Sequence, residues 1–255
     1  MISIKTPQDI EFLKEGGKRH AEILKELKQL ALPGVSTVTL NEKALELVRE
    51  GGDTPSFLGY KPEGVRRPYP AALCVSVNDE IVHGIPNEIP KILQEGDVVT
   101  LDLGLTHKGM ITDSAITIGI GSISCENARL ITATEEALAA GIAAAKGGNK
   151  IGDIGYAIES VAHKYKLSLA LGLAGHGVGY EVHEDPFVPN SGVPGQGPIL
   201  RPGMVIAIEP MLVLGRGEIT LMKDGYTYKT RDGKNAAHAE HTILITEGNP
   251  VILTK

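Results

Sequence analysis

The segment from Gly96 to Gly119 constrains the fold more than any other part of the sequence, because two long apolar runs in it flank a short polar turn. The runs are Val98 to Leu105 and Met110 to Ile118, and both are rich in β-branched residues. The stretch between them, residues 106–109, ends in a glycine, which can adopt the positive φ that a tight turn requires. This pattern predicts a β-hairpin and, with it, an antiparallel sheet.

One acid interrupts each apolar run of the hairpin. Asp102 and Asp113 lie at equal distances from the centre of the predicted turn, so the simplest register places them directly opposite each other. Facing carboxylates repel at a Cβ separation of about 4.5 to 5.5 Å. Either one carboxyl keeps its proton, or the register slips, or a cation lies between the two acids. A cation would require further ligands elsewhere in the sequence.

Composition excludes several classes of protein. A net charge of -6 over 255 residues gives no reason to expect a nucleic-acid partner. The two cysteines, Cys74 and Cys125, are too few for a disulfide framework. No apolar run approaches the roughly 20 residues that a membrane helix needs, and the N-terminus lacks an apolar signal core. We therefore expect a cytoplasmic protein that binds neither nucleic acid nor membrane.

The same order of elements is predicted twice along the chain. Cap residues and hydrophobic periodicity predict helices from Thr6 to about Leu30, from a capping box at Thr39–Glu42 to Gly51, from Glu126 to Lys146 and from Asp153 to His163. Extended runs follow each helix pair: Ser56 to Tyr60, Ala71 to Val77 and the hairpin in the first half, and everything beyond Leu167 in the second. No linker separates the halves, so we expect one domain, residues 1–255.

Further candidate ligands lie outside the hairpin. Residues 175–186 are rich in glycine and contain His176 and His183, Glu209 ends an apolar strand before a proline, and Glu240 begins the last long strand. The glycines resemble a dinucleotide-binding loop only weakly, because no helical pattern follows. Taken singly, each of these residues is more often a solvated acid or a hydrogen-bonded histidine. Together, four carboxylates and one imidazole suit divalent Mn, Fe, Co or Zn, and bridging carboxylates can hold two ions about 3.5 to 4 Å apart.

The order of these residues and their local motifs resembles type I methionine aminopeptidase over essentially the whole chain. The motifs are HGIP at His83, GHGVG at His176, IEP at Glu209 and EHT at Glu240. The resemblance implies an α+β fold of the pita-bread type, in which two pseudo-symmetric αβ halves form a curved antiparallel sheet with helices on its outer face. It also implies a dinuclear metal centre with five ligands: Asp102, Asp113, His176, Glu209 and Glu240.

The function implied by the resemblance is metal-dependent removal of the N-terminal methionine from nascent proteins and peptides, with a small second residue preferred. Glu209 would shuttle the proton, and His83 and His183 would contact substrate. Two divalent ions, chosen from Co, Mn, Fe or Zn, would be the cofactors. By position, the methionine pocket would be lined by Phe57, Tyr60, Tyr69, Cys74 and Tyr226, although ordinary core packing is the alternative for this group.

Three residues depart from what the family usually carries. Val182 stands where a larger side chain is usual, Tyr226 where a tryptophan is common, and His238 where a glutamine is more usual. These changes concern the walls and rim of the pocket, so they bear on substrate preference and rate.

Two rival functions remain open at this point. One is an Xaa-Pro exopeptidase of the same fold, whose members carry an extra N-terminal domain for which a first helix beginning at Thr6 leaves no room. The other is a non-catalytic peptide-binding protein, although such proteins typically lose metal ligands. We expect a monomer, and the ribosome is a candidate partner alongside nascent chains.

Overall fold

The computed structural model describes all residues from Met1 to Lys255 as four helices and a set of antiparallel strands. The helices are α1 (Pro7–Leu30), α2 (Thr37–Glu50), α3 (Cys125–Ala144) and α4 (Ile151–Lys164). The strands of the first half are β1 (Thr54–Pro55), β2 (Leu73–Val77), β3 (Glu80–Val82), β4 (Val98–His107) and β5 (Met110–Gly119). Those of the second half are β6 (Ser168–Leu169), β7 (Ala174–Gly177), β8 (Glu184–Pro189), β9 (Val205–Ile208), β10 (Met211–Val213), β11 (Ile219–Leu221), β12 (Tyr228–Thr230), β13 (Ala236–His238), β14 (His241–Leu244) and β15 (Val251–Ile252).

Each half builds a main sheet and its own core, and two smaller sheets have the orders β13-β10-β6, within the second half, and β11-β12-β3, which joins strands of both halves. In the first half β4 pairs with β1, β2 and β5, and in the second the order is β15-β14-β9-β7-β8. One apolar cluster contains buried residues from 23 to 120, contributed by α1, α2 and the first sheet. A second cluster contains buried residues from 130 to 245, contributed by α3, α4, the second sheet and the strands β10 and β13. The two helix-helix-strand halves predicted from the sequence are confirmed, and the α+β fold is the pita-bread fold.

The first helix begins where the sequence predicts. Thr6 accepts a hydrogen bond from the Asp9 backbone N–H, and the Asp9 carboxylate accepts one from the Thr6 backbone N–H, which is a complete capping box. Pro7 occupies the first helical position, where its missing N–H costs nothing. The prediction for α2 is wrong by a short distance. Ser36 caps this helix through Val38, so the helix begins before Thr39.

The extended run predicted at Ser56 to Tyr60 is also wrong. The strand in this region is limited to Thr54–Pro55, which lies just before the predicted run and pairs with β4. The chain then turns, with a hydrogen bond from Tyr60 N–H to Phe57 O and a positive φ of 84° at Gly59. The turn matters for the site, because it directs Phe57 and Tyr60 toward the interior instead of along a strand.

The two halves meet along β5 and the segment that joins β13 to β14. Ala115 and Glu240 exchange backbone hydrogen bonds, with N···O distances of 3.4 and 2.9 Å. Thr117 also donates from its hydroxyl to the His238 carbonyl oxygen, at 2.6 Å. The predicted hairpin therefore lies at the junction of the two halves. None of the helices is long and apolar enough to cross a membrane.

Candidate metal centre

The hairpin register differs from the one predicted. The turn consists of Lys108 and Gly109, both with positive φ, so Asp102 pairs with Ala115 and Asp113 pairs with Gly104. A two-residue turn of this kind matches the twist of the flanking strands. The prediction that the two acids face each other directly is therefore wrong. They are diagonal neighbours on the same face of the sheet, and both line the same cavity.

His176 is held on β7 by the two glycines that flank it. A Cβ at Gly175 would lie 2.3 Å from the Ala207 carbonyl oxygen, and a Cβ at Gly177 would lie 2.1 Å from the Asp185 carbonyl oxygen. Only glycine allows the neighbouring strands to approach this closely. The His176 ring Nδ1 donates to the Gly177 carbonyl oxygen at 2.9 Å, which leaves Nε2 directed at the cavity.

Glu209 and Glu240 complete the acidic set from the ends of strands. Glu209 follows β9, and its Oε1 lies 3.2 Å from His176 Nε2. Glu240 lies between β13 and β14, where its backbone carbonyl accepts a hydrogen bond from the Ser114 hydroxyl at 2.7 Å. All five residues predicted as metal ligands line one cavity. Their role as metal ligands stays a prediction.

The buried acids raise one another's pKa values. Burial, with the charge of Glu209, raises the pKa of Asp102 to about 8. Burial and the neighbouring Asp102 raise the pKa of Asp113 well above its usual range, and burial and Asp113 do the same for Glu240. Burial also raises the pKa of Glu209. Without a counter-charge this arrangement strongly disfavours ionisation.

His176 is the one group of the cluster whose surroundings favour its charged form. Burial alone would lower the pKa of His176, but the hydrogen bond and the negative charge of Glu209 outweigh burial and raise it. A single imidazolium cannot balance the four acids.

The donor atoms of the site fit a divalent ion. Asp102 Oδ1, Asp113 Oδ1 and Glu240 Oε1 are buried and have no hydrogen-bond partner. Ligand atoms of Asp113, His176 and Glu240 lie within 4.8 Å of one another, and so do those of Glu209, His238 and Glu240. Carboxylate oxygens with imidazole nitrogens are the donor set that Mn, Fe, Co and Zn accept. Orphaned oxygens in such a set are what an ion would satisfy.

The cavity above the acids has a volume of about 290 Å³. One side of this cavity is lined by apolar and aromatic residues, and we call that side the annex. The five residues predicted for the methionine pocket all line it: Phe57, Tyr60, Tyr69, Cys74 and Tyr226. Val182 packs in the same apolar cluster. Tyr69 donates its hydroxyl hydrogen to the Gly84 carbonyl oxygen at 2.9 Å, so its ring presents only apolar surface.

His83 and His183, the two histidines predicted to contact substrate, also line the cavity. Tyr60 Oη lies 2.7 Å from His183 Nδ1, and the His183 ring lies 4.4 Å from that of His176, centroid to centroid. Burial lowers the pKa of His183 to about 3 and that of His83 to about 4. Both rings are therefore neutral near pH 7. If Tyr60 donates to Nδ1, His183 must carry its proton on Nε2, where it can donate to a substrate oxygen.

Sequence reasoning missed several residues that shape the site. Thr242 accepts a hydrogen bond from the Asp113 N–H at 2.8 Å and donates to the Asp113 carbonyl oxygen at 2.7 Å, so it fixes the backbone of one predicted ligand. Thr242 is the threonine of the EHT motif, so the sequence did contain a signal for this residue. Tyr228 and Met211 line the cavity with no signal in their local sequence, because pairing between distant strands brings them there.

A cleft floored by four convergent carboxylates and a histidine, with an apolar annex beside them, is typical of a metal-dependent hydrolase. Comparison with known proteins agrees with this class. The model of metallopeptidase family M24 matches residues 11–247. The chain belongs to metallopeptidase family M24.

Within this family, the chain is similar over its full length to methionine aminopeptidases. The chain is 46% identical over 256 residues to the methionine aminopeptidase of Aquifex aeolicus. This match covers 100% of this chain and 99% of the relative. It is 41% identical over 255 residues to methionine aminopeptidase 1 of Bacillus subtilis, with 100% of both chains covered. The crystal structure of methionine aminopeptidase from Thermotoga maritima superposes with a TM-score of 0.95 at 40% identity, over 100% of both chains.

More distant structures share the fold alone. The Xaa-Pro dipeptidase from Bacillus anthracis has a TM-score of 0.77 at 23% identity, and the match covers 99% of this chain but 62% of that one.

Proposed function

We propose that this chain is a methionine aminopeptidase, which hydrolyses the first peptide bond of chains that begin with methionine and prefers a small second residue. The observation that carries the proposal is the convergence of Asp102, Asp113, His176, Glu209 and Glu240 on one cavity that also has an apolar annex. Full-length similarity to methionine aminopeptidases supports it.

The cofactor in this proposal is a pair of divalent metal ions, and the candidate metals are Co, Mn, Fe and Zn. The two groups of closely spaced donor atoms support a pair, because they share Glu240. A carboxylate with two oxygens can bridge two ions about 3.5 to 4 Å apart. Metal content of the purified protein, measured by mass spectrometry, identifies the ions and their number.

The catalytic residues are Glu209, His183 and His83. When bound, a divalent ion supplies an acidified water and polarises the scissile carbonyl. Glu209 accepts the proton of the attacking water and passes it to the leaving amine, since its carboxylate lies at the strand end that faces the cavity, next to His176. His183 donates from Nε2 to the carbonyl oxygen as negative charge develops there. His83 contacts the nitrogen side of the scissile bond.

The substrate's methionine side chain occupies the annex lined by Phe57, Tyr60, Tyr69, Cys74 and Tyr226. Aromatic faces make favourable contacts with a thioether sulfur. The carboxylates at the floor attract a free α-amino group, so the enzyme is an exopeptidase. A bulky second residue would crowd the closed site.

We propose one catalytic domain, residues 1–255, and the way the site is built supports it. Asp102 and Asp113 come from the first half, whereas His176, Glu209 and Glu240 come from the second. Neither half holds the complete set, so we propose that both halves act together. We propose nascent chains in the cytoplasm as the natural substrates.

The test is release of methionine from Met-Ala-Ser after metal removal and addition of each divalent ion in turn. We expect turnover with at least one ion, little with acetyl-Met-Ala-Ser, and none with Ala-Pro peptides. Glu209→Gln should lower kcat by at least about a hundredfold, in line with typical general acid-base contributions. The matched control is Glu218→Gln, an exposed glutamate, which should retain full activity. Hydrolysis of Xaa-Pro but not Met-Ala peptides would reject the proposal.

A further inference from the structure

His238, at the end of β13, is a buried histidine that no step above uses. Only 1% of the residue is exposed, and neither ring nitrogen has a hydrogen-bond partner. Its backbone is held firmly, since its N–H donates to Thr117 Oγ1 at 3.0 Å and its carbonyl oxygen accepts from the same hydroxyl. A buried polar ring without partners costs free energy unless something else satisfies it.

The His238 ring lines the same cavity as the predicted ligands. Its Nε2 lies 3.6 Å from Glu209 Oε2 and also 3.6 Å from Glu240 Oε2. These separations are too long for hydrogen bonds. They are close to the spacing between ligand atoms around one ion, because bonds of about 2.1 Å in a tetrahedral site place the donor atoms about 3.4 Å apart.

Glu209 is thus positioned between two imidazoles. Its Oε1 faces His176 and its Oε2 faces His238. A second neutral nitrogen donor satisfies an ion without adding another negative charge to a site that already holds four acids. This combination favours ligation over a purely structural role for the ring.

We propose that His238 Nε2 is an additional metal ligand, to the ion held by Glu209 and Glu240. The inference rests on the proposed function, because it concerns the same metal centre. It goes further in assigning a ligand where the family more usually carries a glutamine. Imidazole suits Zn and Fe, whereas carboxylates suit Mn, and the affinity of a given site rises from Mn through Fe to Co. His238 should therefore shift the metal preference of this chain toward Zn and Co relative to Mn.

The direct test counts the coordinated imidazoles. The chain is loaded with Co²⁺, and paramagnetic NMR records the exchangeable ring N–H protons that are shifted far outside the normal range. We expect two shifted imidazole N–H signals in the wild-type chain, from His176 and His238, and one in His238→Gln. Isothermal titration should show that Co²⁺ binding at this site weakens by at least about tenfold in the variant. Mn²⁺ binding should change less than threefold.

His163→Gln, which removes an exposed histidine at the end of α4, is the control and should leave both signals and both affinities unchanged. His238→Asn is a second variant in case glutamine disturbs the fold. A single shifted signal in the wild-type chain, or equal effects of His238→Gln on Co²⁺ and Mn²⁺, would overturn the ligand assignment. If the wild-type chain binds metal and cleaves Met-Ala-Ser while the signal count is one, the proposed function survives and only His238 is wrongly assigned. A wild-type chain that binds no divalent ion would reject both.

Discussion

Removal of metal should leave a fold that loses stability as the pH rises, and Asp102 allows this to be measured. Burial raises the pKa of Asp102 to about 8, from an ordinary value of 3.8. Near pH 7 the folded, metal-free chain therefore holds a proton on this carboxyl that the unfolded chain has released. Asp102→Asn removes the titration while it keeps the shape of the side chain.

The direction follows from proton linkage. An acid with a raised folded-state pKa binds more protons when folded, so the free energy of unfolding falls with rising pH until the folded-state pKa is passed. One full proton corresponds to about 1.4 kcal/mol per pH unit. Between pH 6.5 and 7.5 Asp102 keeps most of its proton in the folded state, so its contribution falls by about 1 kcal/mol.

Buried histidines act in the opposite direction but do not affect the comparison. Burial lowers the pKa of His183 and that of His238 to about 3, so both are neutral in the folded state. Their burial costs folding free energy at low pH, and this cost fades as the pH rises past about 6.5, the pKa of unfolded histidine. The wild-type chain and Asp102→Asn carry the same histidines, so this effect cancels in the difference.

The assay is urea unfolding followed by circular dichroism, in excess chelator, at pH 6.5 and 7.5. We expect wild type to lose about 1 kcal/mol more than Asp102→Asn over this interval, equivalent to roughly 2 to 4 °C in Tm for a chain of this size. Glu63→Gln, an exposed acid, should follow wild type. With Mn²⁺ or Co²⁺ bound, the carboxylates are ionised in the folded state too, and the wild-type decline should disappear. Parallel behaviour of wild type and Asp102→Asn without metal would refute the reasoning.

Other perturbations test the supports of the site. Tyr60→Phe removes the hydroxyl that lies 2.7 Å from His183 Nδ1; steady-state kinetics on Met-Ala-Ser should show kcat about tenfold lower with KM changed less than threefold, and an unchanged kcat would contradict the tautomer argument. Thr242→Val removes both hydrogen bonds to the Asp113 backbone and should cost about 1 to 3 kcal/mol in urea unfolding, whereas a neutral result would mean that these bonds do not hold the ligand. Gly84→Ala would place a Cβ 2.3 Å from a carbonyl oxygen of β2 and should lower the free energy of unfolding by about 1 to 3 kcal/mol, with wild-type stability as the contrary outcome.

Features with a local cause were predictable from the sequence. The start of α1 at Thr6 follows from a capping box and a proline, all within four residues. The loop at His83 and the strand end at Glu209 follow from neighbouring glycine and proline residues. The start of α2 was not predictable, because Ser36, Thr37 and Thr39 all offer hydroxyls for a cap. The choice among them depends on tertiary contacts, since Thr37 donates to the Pro86 carbonyl oxygen.

Features that depend on contacts between distant segments were not predictable from pattern alone. The bond between Tyr60 and His183 joins residues 123 positions apart. Tyr228 reaches the cavity because β12 pairs with β3 of the other half. The position of His238 near Glu209 and Glu240 depends on the pairing of β13 with β10 and on the hydrogen bonds with Thr117 of the first half. Sequence spacing contains no information on these distances, and only the resemblance to a family suggested that the residues converge.

The hairpin explains why a wrong register still led to the right face. The sequence prediction centred the turn one residue too early, so it paired Asp102 with Asp113, whereas Asp102 pairs with Ala115. Moving the centre of a hairpin by one residue shifts the partner of every position by two. Side chains alternate between faces with a period of two, so a shift of two keeps each acid on its predicted face. A shift of one would have placed Asp113 on the opposite face, away from the cavity. The diagonal arrangement also separates the acids more widely than direct opposition would, which leaves room for an ion between their carboxylates.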